Sequence, residues 1–196
     1  MKIIGITGPT GSGKSVLTEH LKKKGYPCID ADEVYHSMLI PPSPCLDAIR
    51  KNFGDEVFTP DGSLDRVALG SVVFNVPQKL ELLNSTVLDI VIDRIRQTVN
   101  ELKSQGHSAV IIDAPTLIES GFHKECDAVI SIIAPVEDRI QRIQKRDDIS
   151  LEKARARVMA QKDDGFYESN SHHTIYNDKD IESFTENIKE IEAFLN

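Results

Sequence analysis

Three features are missing from this sequence: an excess of basic residues, a long apolar run and a patterned set of cysteines. The formal net charge is −8 and both signs are mixed along the chain, which leaves no basic stripe for a nucleic acid or an anionic membrane. No apolar run has the length of a membrane span, and residues 1–7 do not resemble a signal peptide. We therefore expect a cytoplasmic protein that binds neither nucleic acid nor membrane. We also expect a monomer or a weak homo-oligomer.

The three cysteines, Cys28, Cys45 and Cys126, are far apart and odd in number. They form no CxxC and no Cys/His spacing, which argues against a disulfide framework and against a zinc site. We predict that all three are reduced, buried thiols.

Alternating strand and helix patterns predict the fold class. Short apolar runs predict strands at residues 2–7, 26–29, 109–112, 128–134 and 174–176. Helical patterns cover residues 14–24, 136–146, 151–161 and the chain from about 180. Right-handed crossovers arrange such a pattern as a five-stranded parallel sheet in a three-layer α/β/α fold, with ligands at the carboxyl ends of the strands.

The segment between the second and third predicted strands reads as several helices without strand alternation. We predict a helical insertion at 33–106, a core formed by 1–32 and 107–196, and a helical lid at about 139–165.

The strongest motif follows the first predicted strand. Residues 8–15, GPTGSGKS, fit G-x-x-x-x-G-K-[ST] between a strand and a helix, as a P-loop requires. Its glycines let successive backbone N–H groups point inward onto phosphates, and Lys14 would reach the β- and γ-phosphates. The Ser15 hydroxyl would bind Mg²⁺. The alternative is a glycine turn that binds nothing.

Acidic residues follow two other predicted strands. Asp30 and Asp32 come after the second strand, and one of them, with Asp32 favoured, is a candidate base for an acceptor hydroxyl. The alternative is a turn or a helix cap. Asp113 follows the third strand, where a Walker B acid would hold Mg²⁺ through water. The alternative for Asp113 is a turn residue. Glu119 is a further candidate, or an ordinary surface charge.

Arg139, Arg142 and Arg146 recur at helical spacing, and Arg157 follows on the next helix. Arginines on a mobile lid would neutralise a transferring phosphoryl group. The alternative is a solvated face paired with neighbouring acids.

Several motifs together give a resemblance to one family. They are I-T-G-x-x-G-S-G-K-S at 6–15, Ile29-Asp30-Ala31-Asp32, Leu64-Asp65-Arg66 with Val73-Phe74, Leu82-Leu83-Asn84, Asp113-Ala114-Pro115-x-Leu117-x-Glu119, Arg142-x-x-x-Arg146-Asp147, Arg157-x-x-x-Gln161 and Ile175-x-Asn177. The chain resembles dephospho-CoA kinase over nearly its whole length. It departs from the family pattern at Leu88-Asp89, Thr116, His172-His173 and Asp178-Lys179.

The resemblance implies a P-loop NTPase fold and transfer of the ATP γ-phosphate to the ribose 3′-hydroxyl of dephospho-CoA, with Mg²⁺, as the last step of coenzyme A synthesis. It identifies 33–106 as the CoA domain. The catalytic residues would be Asp32, Lys14 and Arg142, and the metal ligands Ser15 and Asp113. ATP would contact Gly8, Thr10, Gly11, Ser12, Gly13, Lys14, Ser15, Val16, Arg142, Arg146 and Asn177. The acceptor would contact Thr7, Asp32, Asn84, Asp113, Leu117, Glu119 and Arg139.

Other functions remain open from the motifs alone. Another P-loop kinase, acting on a nucleoside or a nucleotide, would share the core, the lid and the Mg²⁺ chemistry. A nucleotide-dependent switch is disfavoured, because 113–116 lacks the glycine of D-x-x-G and 177–180 is not N-K-x-D. An inactive family member would not be expected to keep Lys14, Ser15 and Asp32.

Overall fold

A five-stranded sheet organises the chain, as predicted, in a computed structural model that describes residues 1–73, 76–178, 181–191 and 195. The strands are β1 (Lys2–Thr7), β2 (Cys28–Asp30), β3 (Ala109–Asp113), β4 (Ala128–Ile133) and β5 (His173–Tyr176). Their order across the sheet is β2-β3-β1-β4-β5. β1 pairs in parallel with both β3 and β4, and β4 pairs in parallel with β5. The predicted α/β class is confirmed.

Nine α-helices lie within the described residues. They are α1 (Lys14–Lys23), α2 (Ala31–Ser37), α3 (Pro44–Phe53), α4 (Arg66–Val73), α5 (Pro77–Ser104), α6 (Val136–Asp147), α7 (Leu151–Met159), α8 (Asp164–Ser169) and α9 (Ile181–Glu190). Short 3₁₀ turns occur at Asp55–Val57 and Phe122–Glu125.

The chain divides into two compact units. The sheet unit comprises Met1–Ile29 and Leu102–Asn196, and the helical unit comprises Asp30–Glu101. These boundaries fall a few residues before the predicted ones at 32 and 107. The CoA-binding role of the helical segment stays a prediction.

The core of the sheet unit follows from strand composition. Every residue of β3 and β4 is buried, because helices cover both faces of these central strands. Ile4 and Ile6 of β1 pack with Leu17 and Leu21 of α1, one helical turn apart, and with Phe184 of α9. β1 and α1 are thereby fixed on either side of the loop that joins them.

The helical unit has a core of its own. Cys45, Ile49 and Phe53 recur along one face of α3 and pack with Leu69 and Val73 of α4. Pro44 opens α3, and the Ser43 hydroxyl caps it by accepting from the Cys45 N–H.

Several local predictions differ from the structure. β2 begins at Cys28 rather than at 26, and α8 was not predicted, because its six residues are too few to show a helical period. α2 begins at Ala31, two residues before the predicted start of the helical insertion at 33, since Asp30 caps it. Cys45 is buried, but Cys28 and Cys126 are only half-buried; all three are free thiols. Phe74, Lys179 and Asp180, which belong to predicted motifs, lie outside the described residues.

Candidate active site

The loop between β1 and α1 forms the centre of the site. Gly8 has φ +136°, and a Cβ at this position would lie 2.2 Å from the Ile132 carbonyl oxygen of β4. A side chain would therefore meet backbone that cannot move without distorting the sheet. Only glycine gives the chain both the conformation and the close approach that start the loop here.

Carbonyl groups of the loop are held by side chains that come from distant parts of the chain. The Thr10 carbonyl accepts from Arg139 Nε at 3.0 Å, and the Gly11 carbonyl accepts from Arg142 Nη1 at 3.2 Å. The Ser12 carbonyl accepts from Asn177 Nδ2 at 2.7 Å. The carbonyl groups of three successive residues are thus directed towards side-chain donors, two of them on α6 and the third on Asn177, which follows β5.

Two further groups of the loop are suited to phosphate. Lys14 Nζ donates to the Gly8 carbonyl at 2.7 Å and to the Pro9 carbonyl at 3.3 Å, so the ammonium lies along the start of the loop. Ser12 is fully buried, and its hydroxyl has no hydrogen-bond partner among the described residues. Because a buried unsatisfied hydroxyl is costly, this group is a donor suited to a phosphate oxygen.

Asp113 and α1 meet beside the loop. The Thr18 hydroxyl donates to Asp113 Oδ2 at 2.7 Å, and Ser15 lies one helical turn before Thr18 near the exposed start of α1. A serine hydroxyl and a carboxylate on adjoining elements are the hard oxygen ligands that Mg²⁺ accepts. No group of three or more acidic, His or Cys side chains in the described part of the chain forms a metal cage. The residues fit a Mg²⁺ that takes its remaining ligands from water and phosphate.

The other predicted residues of the sheet unit differ in exposure. The Thr7 hydroxyl is buried and donates to the Pro115 carbonyl at 3.3 Å. Leu117 is fully buried against Gly5, where a Cβ would lie 2.5 Å from Leu117 Cδ2. Glu119 and Val16 are exposed. Leu117 therefore lies in the core, whereas Glu119 is open to solvent.

The three arginines of α6 occupy different environments. Arg139 is only 3% exposed, and this burial lowers the pKa of its guanidinium. Arg142 is partly buried beside the loop, and its Nη2 lies 4.0 Å from Asp138 Oδ2. Arg146 is exposed and makes a two-point contact with Asp147, at 2.7 and 3.0 Å, which raises the pKa of Arg146. The helical spacing predicted that the three arginines share one face of α6. It did not indicate that Arg139 is buried while Arg146 is exposed.

Asp147 also accepts from Arg157 Nη1 of α7 at 2.5 Å. Hydrogen bonds from Arg146 hold the pKa of Asp147 below its ordinary value, and the charge of Arg157 adds to this. The predicted lid arginines Arg146 and Arg157 are thus linked through one carboxylate. Ile140 and Ile143 of α6 pack on Ala154 and Val158 of α7, which makes the two helices one hairpin.

In the helical unit, the two candidate bases have different surroundings. Asp30 Oδ1 accepts from the N–H groups of Asp32 and Glu33, at 2.9 and 3.1 Å, and caps α2. Asp32, at the second position of α2, has an exposed side chain. The capping alternative therefore applies to Asp30. Asn84 is exposed on α5.

Two residues at this site were given no role by the sequence. Thr18 was missed, although its position three residues after Ser15 places it on the same face of α1. Gln161 was noted only within Arg157-x-x-x-Gln161; its Oε1 accepts from the Thr10 N–H at 2.9 Å and from Arg139 Nη2 at 3.0 Å. No local pattern signals that contact.

The comparisons with known proteins agree with this site. The family model for dephospho-CoA kinase matches residues 2–183. The chain belongs to the dephospho-CoA kinase family. It is thus a P-loop kinase, and the resemblance stated from the sequence is confirmed.

Named relatives support the assignment. A dephospho-CoA kinase of Dehalococcoides mccartyi is 40% identical over 164 residues, which cover 84% of this chain and 82% of the relative. A dephospho-CoA kinase of Symbiobacterium thermophilum is 38% identical over 161 residues, covering 82% of this chain and 67% of the relative.

Solved structures give the same result. A dephospho-CoA kinase from Campylobacter jejuni superposes with a TM-score of 0.72 at 25% identity, covering 98% of this chain and 96% of the other. A shikimate kinase from Acinetobacter baumannii shares the fold, at 18% identity and a TM-score of 0.52. The superposition covers 100% of this chain and 93% of the shikimate kinase chain.

In the described part of the chain, no helix is both long and apolar enough to cross a membrane.

Proposed function

We propose that this kinase transfers the γ-phosphoryl group of ATP to the ribose 3′-hydroxyl of dephospho-CoA, giving CoA and ADP. The observation that carries the proposal is the P-loop, whose carbonyls are held outward by Arg139, Arg142 and Asn177, in a chain that matches the family from residue 2 to 183. Such a loop binds phosphate through its backbone N–H groups.

Donor binding is assigned to the loop and its neighbours. The N–H groups of Gly11, Gly13, Lys14 and Ser15, the Ser12 hydroxyl and the Lys14 ammonium hold the β- and γ-phosphates, with Val16 beside them at the start of α1. Arg142 and Arg146 neutralise charge on the transferring group. Asn177 contributes by holding the Ser12 carbonyl in place.

Mg²⁺ would be held by the Ser15 hydroxyl and, through water, by the Asp113 carboxylate. When bound, it neutralises negative charge on the β- and γ-phosphates. The Thr18 hydroxyl orients the Asp113 carboxylate through their hydrogen bond.

Asp32 is assigned as the base that orients and accepts the proton of the acceptor hydroxyl. The Asp32 side chain is exposed, and α2 is capped by the neighbouring Asp30. The Asp32 carboxylate is therefore available to accept a proton. Glu119 and Asn84, also exposed, are assigned to the acceptor. Thr7 and Asp113 border the acceptor at the strand ends, and Leu117 and Arg139 support the site from buried positions.

The function is tested by an acceptor panel. Purified protein is incubated with Mg·ATP and, separately, with dephospho-CoA, adenosine, AMP, CMP or pantetheine, and ADP release is followed. Turnover with dephospho-CoA alone supports the proposal. Turnover with a nucleoside or a monophosphate, and none with dephospho-CoA, would identify another P-loop kinase whose acceptor has changed.

A further inference from the structure

We infer that Gln161 and Arg139 are positioning residues for phosphate binding, because together they fix the peptide of Thr10 within the P-loop. We call this pair the Thr10 bracket. The inference rests on the proposed binding of ATP at the P-loop but not on the identity of the acceptor.

Three hydrogen bonds close a ring through the bracket. Gln161 Oε1 accepts from the Thr10 N–H at 2.9 Å, and Arg139 Nε donates to the Thr10 carbonyl at 3.0 Å. Arg139 Nη2 donates to the same Gln161 oxygen at 3.0 Å. Both backbone polar groups of Thr10 are engaged by side chains that also hold each other, so neither Thr10 peptide can rotate without breaking a contact.

The direction of the next N–H group follows from peptide geometry. In a trans peptide the C=O and the following N–H point to opposite sides. Because Arg139 holds the Thr10 carbonyl, the Gly11 N–H is directed away from α6. Asn177 acts in the same way on the Ser12 carbonyl and so directs the Gly13 N–H away from itself. Inward-pointing N–H groups are what a phosphate loop supplies.

Close packing leaves this arrangement little freedom. A Cβ on Gly11 would lie 2.8 Å from the Arg139 carbonyl oxygen, so the loop rests on the backbone of α6. The Arg139 guanidinium is almost fully buried, and its charge is desolvated. Charge-assisted hydrogen bonds from a buried guanidinium are strong and directional. Lysine cannot replace it, since one ammonium lacks the planar fork that reaches both Thr10 and Gln161.

The bracket also connects the loop to both helices of the α6–α7 hairpin. Arg139 lies in the first turn of α6, and Gln161 follows α7, which ends at Met159. The same hairpin carries Arg142 and Arg146. The open end of the hairpin is thereby attached to the loop, close to Arg142, which donates to the Gly11 carbonyl.

The test measures nucleotide binding without any acceptor. Wild type, Gln161→Leu, Gln161→Glu and Gln141→Leu are titrated with Mg·ATP by calorimetry, and KM and kcat for ATP are measured in parallel. Gln161→Leu removes the accepting oxygen at similar size, and we expect its Kd and KM for ATP to rise roughly tenfold, with a smaller change in kcat. Gln161→Glu keeps an accepting oxygen and should restore affinity to within roughly threefold of wild type. Gln141, exposed on α6, provides the matched control, with affinity unchanged.

A merely structural role gives a different result. Gln161→Leu would then lower the melting temperature and the fraction of active molecules, while those molecules bound ATP with wild-type Kd; this outcome overturns the inference. If Gln161→Leu folds poorly, Arg139→Lys is measured instead. Wild-type ATP affinity of Arg139→Lys would contradict the inference in the same way. Failure of the wild-type protein to bind Mg·ATP would remove the proposed function itself.

Discussion

The Thr18 hydroxyl donates to Asp113 Oδ2 at 2.7 Å, which joins the second turn of α1 to the carboxyl end of β3. Both residues are buried, and neither lies in the P-loop motif itself. The contact fixes α1, and with it Lys14 and Ser15, against the strand end that carries the acid. It therefore links the phosphate side of the site to the proposed metal side.

Removing this hydroxyl should destabilise the protein. Thr18→Val keeps the shape but takes one donor from a buried carboxylate, so we expect a loss of about 1–3 kcal/mol in the free energy of unfolding. Thr18→Ser keeps the hydroxyl and serves as the control. Urea denaturation gives both values. Wild-type stability of Thr18→Val would show that the hydrogen bond adds nothing.

Gly8 should tolerate alanine far less well than Gly25. Both have positive φ, +136° and +90°, but a Cβ at Gly8 meets the Ile132 carbonyl oxygen, whereas a Cβ at Gly25 meets no atom within 4 Å. We expect Gly25→Ala to cost about 1 kcal/mol, from backbone conformation alone. Gly8→Ala should cost more and abolish ATP binding. Urea denaturation and calorimetry measure the two effects, and similar behaviour of the variants would contradict the close packing of β1 and β4 at this point.

The Cys126 thiol should make stability fall at alkaline pH. The pKa of Cys126 is raised from 9.0 to about 12, mainly because the thiol is buried. Burial is also the main cause that raises the pKa of Cys28 to about 11. A group whose pKa is higher in the folded state favours folding below pH 9, and this contribution is lost as the pH rises from 9 towards 12. The free energy of unfolding of wild type should therefore decline more steeply above pH 9 than that of Cys126→Ala. Parallel pH profiles would mean that the thiol titrates normally in the folded protein.

Patterns of short range predicted much of the fold. β1, β3 and β4 are apolar runs bounded by turns, and the glycine spacing of the P-loop is local, so each was recognisable from consecutive residues. α8 lies beyond this kind of prediction, because Asp163 caps six residues whose apolar members, Phe166 and Tyr167, show no period.

Long-range contacts account for what was missed at the site. Gln161 and Thr10 are 151 positions apart, and only the closed fold brings them together. Arg139 and Arg146 look alike on a helical projection, yet one is buried against the loop and the other is exposed beside Asp147. Burial of this kind depends on which elements pack together, and the sequence pattern of one helix does not contain that information.

Asp30 and Asp32 should respond differently to the same change. Asp32→Asn removes the proposed base, so we expect turnover to fall roughly 10²- to 10⁴-fold while the Kd for Mg·ATP stays unchanged. Asp30→Asn keeps an oxygen that caps α2 and should leave turnover near wild type. Steady-state assays with ATP titrations compare the pair. Loss of turnover in Asp30→Asn together with normal turnover in Asp32→Asn would move the base to Asp30.

The most direct test of the proposed phosphoryl transfer follows the phosphoryl group itself. The protein is incubated with Mg·ATP labelled at the γ-phosphate and with dephospho-CoA, and the labelled product is analysed by mass spectrometry and by digestion with a 3′-nucleotidase. We expect one labelled product with the mass of CoA plus that of the label, and release of the label by the nucleotidase. Label that appears only as inorganic phosphate, or at a position that the nucleotidase does not cleave, would contradict transfer to the 3′-hydroxyl.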